Sequence, residues 1–288
     1  MITKLVFYLA YNLAKLPFSF LYLISDILYG IFLLIGYRKK VILTNINIAF
    51  PEKSNEEKCL IRRKFYKNFS QYLVESVKSL TVNPAIIQNE KTRLFGLDIL
   101  QDCYKKDKEV FLLMPHVFNW DWIGFWATSC PQKNVYAINK ALKNKFMDKK
   151  MDEARFRVGG KGLKTRNVYK FISEEKHNKD NIYLFLVDQS PNMNFVKLKI
   201  PFFGKDTAVF NGYDSLIKKR NAEVIYCDTR KIGKGIYEYH FKKIEPDNEE
   251  FVENEVVIKF FSLLENSIKK NPDNWLWSHK RWKEDVKK

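Results

Sequence analysis

Two residues that could share a proton stand five positions apart in the segment 114–122. His116 and Asp121 follow the apolar run 110–114, and His116 is one of only four histidines in the chain. This spacing suits a general base and the carboxylate that orients it, because loops after buried strands commonly present catalytic side chains. A polar pair on a turn would have the same spacing. A metal site would need further ligands, and the sequence has none spaced nearby.

Hydrophobic patterning predicts the elements that must hold this pair. Apolar residues recur every fourth position over about 56–80, behind a capping box at Ser54-Asn55-Glu56-Glu57, which predicts an amphipathic helix. From about residue 92, short apolar runs alternate with helical patterns. The strands are predicted at 109–114, 134–138, 182–187, 222–228 and 235–244, and the helices at 121–129, 142–157, 165–176, 207–220 and 250–270. This alternation predicts an α/β fold with a central mixed or mostly parallel sheet flanked by helices.

The N-terminus carries the longest apolar run. Leu16 to Tyr37 contains a single charge, Asp26, and is long enough to span a membrane. Arg38-Lys39-Lys40 follows directly, which predicts that this end faces the cytoplasm. Pro17 and Asp26 leave open a buried helical hairpin or a helix lying in the interface. We expect a hydrophobic membrane anchor over residues 1–37 and one globular domain over 38–288.

The chain carries a formal charge of +17. Such an excess favours an anionic partner, either a lipid headgroup surface, a nucleic acid or an acidic protein. The apolar N-terminus favours an anionic membrane surface. A nucleic-acid partner is not expected, since no recognised binding motif accompanies the charge.

Several ordered blocks of the sequence resemble the lipid A biosynthesis acyltransferases, the lauroyl and myristoyl transferases of the lysophospholipid/glycerolipid acyltransferase superfamily. The blocks are Gly36 to Lys40, Asn45 to Pro51, the HX4D motif at His116 and Asp121, Arg155-Phe156-Arg157, Leu186 to Gln189, Ile200 to Gly204 with Thr207, Ala208 and Gly212, and Pro272 to Lys283. Two departures stand out. Many members have Glu where Asp121 stands, and Ser190-Pro191-Asn192 replaces the acidic and glycine residues of some members.

The resemblance implies a membrane-associated O-acyltransferase of the bacterial inner membrane, working at its cytoplasmic face. It would move a fatty acyl chain from an acyl carrier protein thioester, or from acyl-CoA, to a hydroxyl of a lipid A precursor or related lipid. By the same resemblance His116 is the general base and Asp121 orients it. No covalent acyl-enzyme is expected because no nucleophile elbow stands near. No cofactor and no metal are expected.

Further site residues are implied by the matched blocks. Arg155 and Arg157 would bind a phosphate of the acceptor or of the donor, or else form a solvated basic helix face. Asp188 and Gln189 would contact substrate, although Asp188 could instead support the site through hydrogen bonds. Asn119 would donate to the developing oxyanion or cap a turn.

The Pro-Phe-Phe-Gly block offers an acyl-binding surface. Phe202, Phe203 and Gly204 would shape an acyl groove, a turn or part of the core. His279 stands among basic residues and is expected at the surface or at an interface, outside catalysis.

Two other functions stay open. One is an acyltransferase of the same chemistry acting on a lysophospholipid or an amino-acid-based lipid. The other is a non-enzymatic membrane-surface binding protein, for which His116→Ala would leave function intact.

Overall fold

The computed structural model describes residues 2–283. The two predicted parts, 1–37 and 38–288, therefore extend outside the described residues at Met1 and at 284–288. Within the described range the α-helices are α1 Ile2–Ala14, α2 Phe18–Ile35, α3 Lys39–Ala49, α4 Asn55–Lys78, the single turn α5 Pro84–Ile86, α6 Asp98–Lys105, α7 Lys145–Arg155, α8 Val168–Glu174, α9 Gly212–Arg220 and α10 Glu255–Lys270. The predicted helix at 56–80 is confirmed as α4, and its capping box forms between Ser54 and Glu57.

The strands form one large sheet and one hairpin. They are β1 Thr92–Phe95, β2 Val110–Met114, β3 Asn134–Asn139, β4 Lys161–Lys164, β5 Asn181–Leu186, β6 Leu198–Phe202, β7 Lys205–Val209, β8 Glu223–Gly233 and β9 Ile236–Ile244. The seven-stranded sheet has the order β1-β9-β8-β2-β5-β3-β4. Only β8 and β9 pair antiparallel within it, so the predicted mostly parallel sheet is confirmed.

β2 is the centre of this sheet and is buried along its whole length. Its neighbours are β5 and β8, both parallel to it. Strands covered on both faces read as continuous apolar runs, as Val110 to Met114 does. The loop that carries His116 therefore follows the fully buried central strand of the sheet.

The N-terminal helices present an apolar surface. Within residues 2–283, α2 is the one helix long and apolar enough to cross a membrane, and only 17% of it is buried. Leu34 is 88% exposed. The opposite side of α2 packs on α4, where Leu21 and Tyr22 contact Val74.

Two predicted helices differ in the structure. The segment after Asn119 is a 3-10 helix at Trp120–Trp126, capped by the Asn119 side chain. The predicted helix at 207–220 is wrong in its first part, because β7 pairs with β6 as a hairpin there and α9 begins only at Gly212. The hairpin turn is Phe203-Gly204, with φ of 53° and 69°, the left-handed values that two-residue turns require.

Candidate active site

The central strands bring His116 and Asp188 together. β2 and β5 run parallel with Met114 opposite Leu186, and both strands end there. His116 and Asp188 each stand two residues further along, so the shared register carries them to the same edge of the sheet. Nδ1 of His116 lies 2.6 Å from Oδ1 of Asp188.

The Asp188 carboxylate is buried between two donors. Only 2% of it is exposed, and its second oxygen, Oδ2, accepts the indole N–H of Trp275 at 2.7 Å. Burial alone would raise the pKa of Asp188, but the charge of His116 and the hydrogen bonds from His116 and Trp275 outweigh it and lower that pKa. An ionised carboxylate only accepts, so Nδ1 of His116 carries a hydrogen, and in the neutral imidazole the lone pair is on Nε2.

The side chain of His116 is partly accessible to solvent. The side chain is 14% exposed, and no residue of the described range forms a hydrogen bond to Nε2. Trp120 packs edge-on against the imidazole, with ring centroids 5.0 Å apart. The arrangement is that of an oriented general base whose proton-accepting nitrogen is available to a substrate.

Asp121 does not take the orienting position expected for it. Its Oδ2 accepts the hydroxyl of Tyr72 at 2.7 Å, and its Oδ1 lies 3.8 Å from Nε of Arg155. The expectation that Asp121 holds Nδ1 of His116 is thus corrected, because the parallel register delivers Asp188 to that nitrogen. Tyr72 also packs against Trp120, with centroids 4.4 Å apart, so Asp121 steadies the wall beside His116.

Asn119 caps the turn rather than facing the opening. It is fully buried, its Oδ1 accepts the N–H of Asp121 at 3.1 Å, and its Nδ2 donates to Glu75 at 3.0 Å. Of the two expected roles, the structure has the capping one. The amide is turned into the protein, so the oxyanion role has no geometric support.

Glu75 is the buried anchor of this turn, and sequence reasoning missed it. Besides Asn119 it accepts hydrogen bonds from Tyr237 at 2.7 Å and Tyr22 at 3.1 Å. Burial raises its pKa, while Lys231 and the hydrogen bonds act in the opposite direction. A glutamate on the buried side of α4 was the available signal, since buried carboxylates need partners.

The two arginines occupy different surroundings. The side chain of Arg155 is 41% exposed beside Asp121. Arg157 instead donates from Nε to the Ser79 carbonyl at 3.1 Å and from Nη2 to the Val82 carbonyl. Arg157 therefore closes the end of α4, a role that neither of its expected alternatives described, although its side chain stays exposed like that of Arg155.

The Pro-Phe-Phe-Gly block lies behind the site. Phe202 is fully buried and packs against Trp275, with centroids 6.0 Å apart. Phe203 and Gly204 form the hairpin turn, and the Phe203 N–H donates to Glu265 at 2.7 Å. Of the expected roles, the structure has the turn and the core. Gln189 follows Asp188 and is half-buried.

His279 lies closer to the site than expected. It is half-buried, and its Nε2 accepts the N–H of Ser190, two residues after Asp188, at 3.1 Å. Burial lowers the pKa of His279 to about 4, so it is neutral at physiological pH. The surface or interface position expected from its basic neighbours is thus a half-buried one, against the loop that follows Asp188.

An apolar cavity opens beside Arg155. Its empty volume, which includes space open to solvent, is about 530 Å³. Its walls include Leu112 of β2, Leu184 of β5, Ala137 of β3 and Gly124 of the 3-10 helix. Leu112 lies on the central strand β2, four residues before His116, so one wall of the cavity belongs to the strand that leads to the candidate base.

Among residues 2–283, no group of three or more His, Cys, Asp or Glu side chains is placed to hold a metal ion. Independence of metal stays a prediction to be tested by chelation.

Comparison with known proteins gives one family. A family model described as bacterial lipid A biosynthesis acyltransferase matches residues 1–284. No curated protein matches the chain. The match covers nearly the whole sequence, and the resemblance found in the motifs is confirmed.

Proposed function

This chain belongs to the bacterial lipid A biosynthesis acyltransferase family, and we propose that it moves a fatty acyl chain from an acyl carrier protein thioester to a hydroxyl of a lipid A precursor. Membership makes it an acyltransferase that uses an acyl donor and a lipid acceptor. The donor, the acceptor hydroxyl and the roles of individual residues are the proposed part.

The proposed step is a direct transfer. Nε2 of His116 takes the proton of the acceptor hydroxyl while the oxygen attacks the thioester carbonyl. The tetrahedral intermediate then collapses, the C–S bond breaks, and the imidazolium returns the proton to the departing sulfur. The products are an ester and a free thiol, with no acyl group left on the protein. Asp188 keeps the hydrogen on Nδ1 and stabilises the imidazolium.

The observation that carries this proposal is the oriented histidine. A 2.6 Å bond fixes Nδ1 of His116 on a buried carboxylate, and Nε2 has no hydrogen-bond partner among the described residues although the side chain is partly exposed. A loop histidine without catalytic work would need neither a buried charged partner nor a second donor, Trp275, to hold that partner.

The apolar cavity supports a place for the acyl chain. Its lining is almost wholly hydrocarbon, and Arg155 stands both at its edge and beside Asp121. A thioester carbonyl near His116 with its chain in the cavity would bury apolar surface at every methylene. Arg155 remains accessible to a phosphate of either substrate.

The exposed apolar face of α1 and α2 supports embedding in a membrane. Leu5, Leu9 and Ile27 are each more than half exposed. Arg38, Lys39 and Lys40 follow α2 and suit the anionic headgroups of a cytoplasmic leaflet. We propose residues 1–37 as the membrane-embedded part and 38–288 as the acyltransferase domain, at the cytoplasmic face of the inner membrane.

The test is acyl transfer by the purified full chain in detergent. Acyl carrier protein thioesters and acyl-CoA serve as donors, lipid A precursors and lysolipids as acceptors, and the products are read by mass spectrometry. We expect a gain of one acyl chain on the lipid A precursor, lost in His116→Ala. The control is His240→Ala, since His240 pairs with Glu238 on β9, away from the site.

The outcomes separate the alternatives. Transfer only to lysolipids would identify another acceptor with the same chemistry. Full activity of His116→Ala would refute the general-base assignment. Activity is expected to persist in EDTA, and its complete loss with chelator would contradict metal-free transfer.

A further inference from the structure

A second opening lies beside the site and carries an unusual arginine. Arg281 is only 2% exposed, and its Nη1 donates to the Ala208 carbonyl at 2.8 Å. Its Nε and Nη2 have no hydrogen-bond partner among the described residues. A buried guanidinium with unused donors is costly, so this one calls for an acceptor that the protein itself does not supply.

The cleft in front of Arg281 is positively charged. It has an empty volume of about 330 Å³, and its charged lining residues are Arg281, Lys199, Lys205, Lys283 and one acid, Asp206. Lys283 is fixed by donating to the Pro191 carbonyl at 2.6 Å. Four cationic side chains and one carboxylate therefore line the cleft.

Aromatic packing holds the plane of the Arg281 guanidinium. The guanidinium lies 5.3 Å from the ring centre of Phe261 and 5.9 Å from that of Phe202, so aromatic rings hold its plane. Burial lowers the pKa of Arg281 to about 10, which still leaves it charged at neutral pH. A charged, planar and immobilised fork is the geometry that binds two oxygens of a phosphate at once.

The cleft also adjoins the candidate active site. Ser190 forms part of its lining and stands two residues after Asp188, and its N–H is held by His279. An anion in the cleft would thus sit against the loop that carries the carboxylate partner of His116.

We propose that this cleft is a phosphate-binding site in which Arg281 grips a phosphate ester of a substrate and Lys199 and Lys283 complete the charge. The inference rests on the proposed transfer reaction, because it concerns a substrate of that reaction. The phosphate could belong to the acceptor lipid or to the phosphopantetheine arm of the donor, and the two sources share this chemistry.

The first experiment varies the substrate. At fixed donor, the acceptor is offered with and without its phosphate. At fixed acceptor, the donor is either an acyl-phosphopantetheine or the corresponding acyl-pantetheine, which differ only in the phosphate. We expect kcat/KM to fall about tenfold to a hundredfold in the arm that removes the recognised phosphate, the size of a lost charge-assisted contact.

The second experiment varies the protein. Arg281→Lys keeps the charge but loses the fork, and Lys199→Ala changes an exposed strand residue that does not threaten folding. For the substrate whose phosphate is recognised, the ratio of kcat/KM with and without that phosphate should fall to about one in Arg281→Lys. In Lys199→Ala the same ratio should become smaller. The matched controls are Arg62→Lys, a buried arginine outside the cleft, and exposed Lys242→Ala on β9.

Direct binding separates this inference from the transfer reaction. Inorganic pyrophosphate is titrated calorimetrically into the full chain in detergent, and Arg281→Lys should weaken its binding at least tenfold, whether or not transfer is observed. If wild-type protein transfers nothing but shows this difference, the transfer proposal fails and the anion site stands. Equal pyrophosphate binding by wild type and Arg281→Lys, or undiminished discrimination in the variant, would overturn the site.

Discussion

Changing Asp121 or Asp188 to its amide distinguishes two assignments of the residue that orients His116. The HX4D motif assigns the orienting role to Asp121, whereas the hydrogen bonds assign it to Asp188. Asp188→Asn preserves shape but removes the charge and one acceptor. With His116 and Trp275 both donating to this side chain, an amide can satisfy only one of them and turns its NH₂ toward the other.

The expected size of the Asp188→Asn effect follows from the tautomer. Without a carboxylate on Nδ1, the hydrogen of His116 is free to move to Nε2, and the base is then blocked. The equivalent change in a serine protease triad costs about 10⁴ in kcat with the geometry intact. We expect kcat to fall by about 10³–10⁴ here, with KM for both substrates within a few-fold of wild type.

Asp121→Asn should behave differently. The amide oxygen can still accept the Tyr72 hydroxyl, so the wall beside His116 survives. The lost ion pair with Arg155 is long, at 3.8 Å, and partly exposed, so it is worth no more than about 1 kcal/mol. We expect a loss of up to about fivefold in kcat/KM, carried mainly by KM because Arg155 loses its neighbour.

The assay is steady-state acyl transfer with both substrates varied, beside thermal unfolding of each variant. The control for folding is Trp275→Phe, which removes one donor to Asp188 but leaves the carboxylate on His116. If Asp121→Asn lost kcat as deeply as Asp188→Asn, then Asp121 would contact His116 during turnover and the assignment of Asp188 would be refuted.

Three further predictions follow from other parts of the structure. Ala137→Leu adds three carbons to the cavity wall and should shift the preferred donor toward acyl chains shorter by about two carbons, read by competition between thioesters; an unchanged preference would place the chain elsewhere. Raising salt from about 0.05 to about 0.3 M should raise KM for the acyl carrier protein thioester several-fold with kcat unchanged, since the chain is strongly basic; a salt-independent KM would exclude electrostatic docking. Folding lowers the pKa of His279 from 6.5 to about 4, so the unfolded chain binds that proton first as pH falls, and stability should drop by up to about 3 kcal/mol over this window relative to His279→Gln; parallel pH profiles in urea unfolding would contradict the burial of His279.

Much of the fold could be predicted because strong local patterns agreed with tertiary packing. α4 has a capping box and a long apolar stripe, and β2 is an uninterrupted apolar run at the centre of the sheet. The β6–β7 hairpin could not be predicted, because its turn uses Phe203 at a positive φ, where glycine or asparagine is the usual signal. The short edge strand β4 could not be predicted either, because its four residues have too little apolar character to form a strand pattern.

The candidate site could be predicted only in part, because its central contact depends on which strands are neighbours in the sheet. His116 and the acid after β5 were both identified at strand ends. Their contact depended on knowing that β2 and β5 are neighbours, since a parallel sheet joins strands far apart in sequence. Spacing within one loop therefore favoured Asp121, five residues away, over Asp188, seventy-two residues away.

The role of the N-terminal segment depends on a contact that no local pattern could predict. Tyr22 of α2 donates to Glu75, Glu75 accepts from Asn119, and Asn119 holds the N–H of Asp121. These hydrogen bonds connect the apolar helix to the loop that carries His116, beside the direct packing of Phe18 against Trp122. An anchor that only tethered the protein to the membrane would have no need to donate a hydrogen bond to the fully buried carboxylate of Glu75. Removing residues 1–37 to obtain a soluble protein would take away one of the donors that Glu75 needs in the interior, and would loosen the turn beside the candidate base. The segment that we propose to hold the chain in the membrane is therefore also part of what holds its active-site loop in shape.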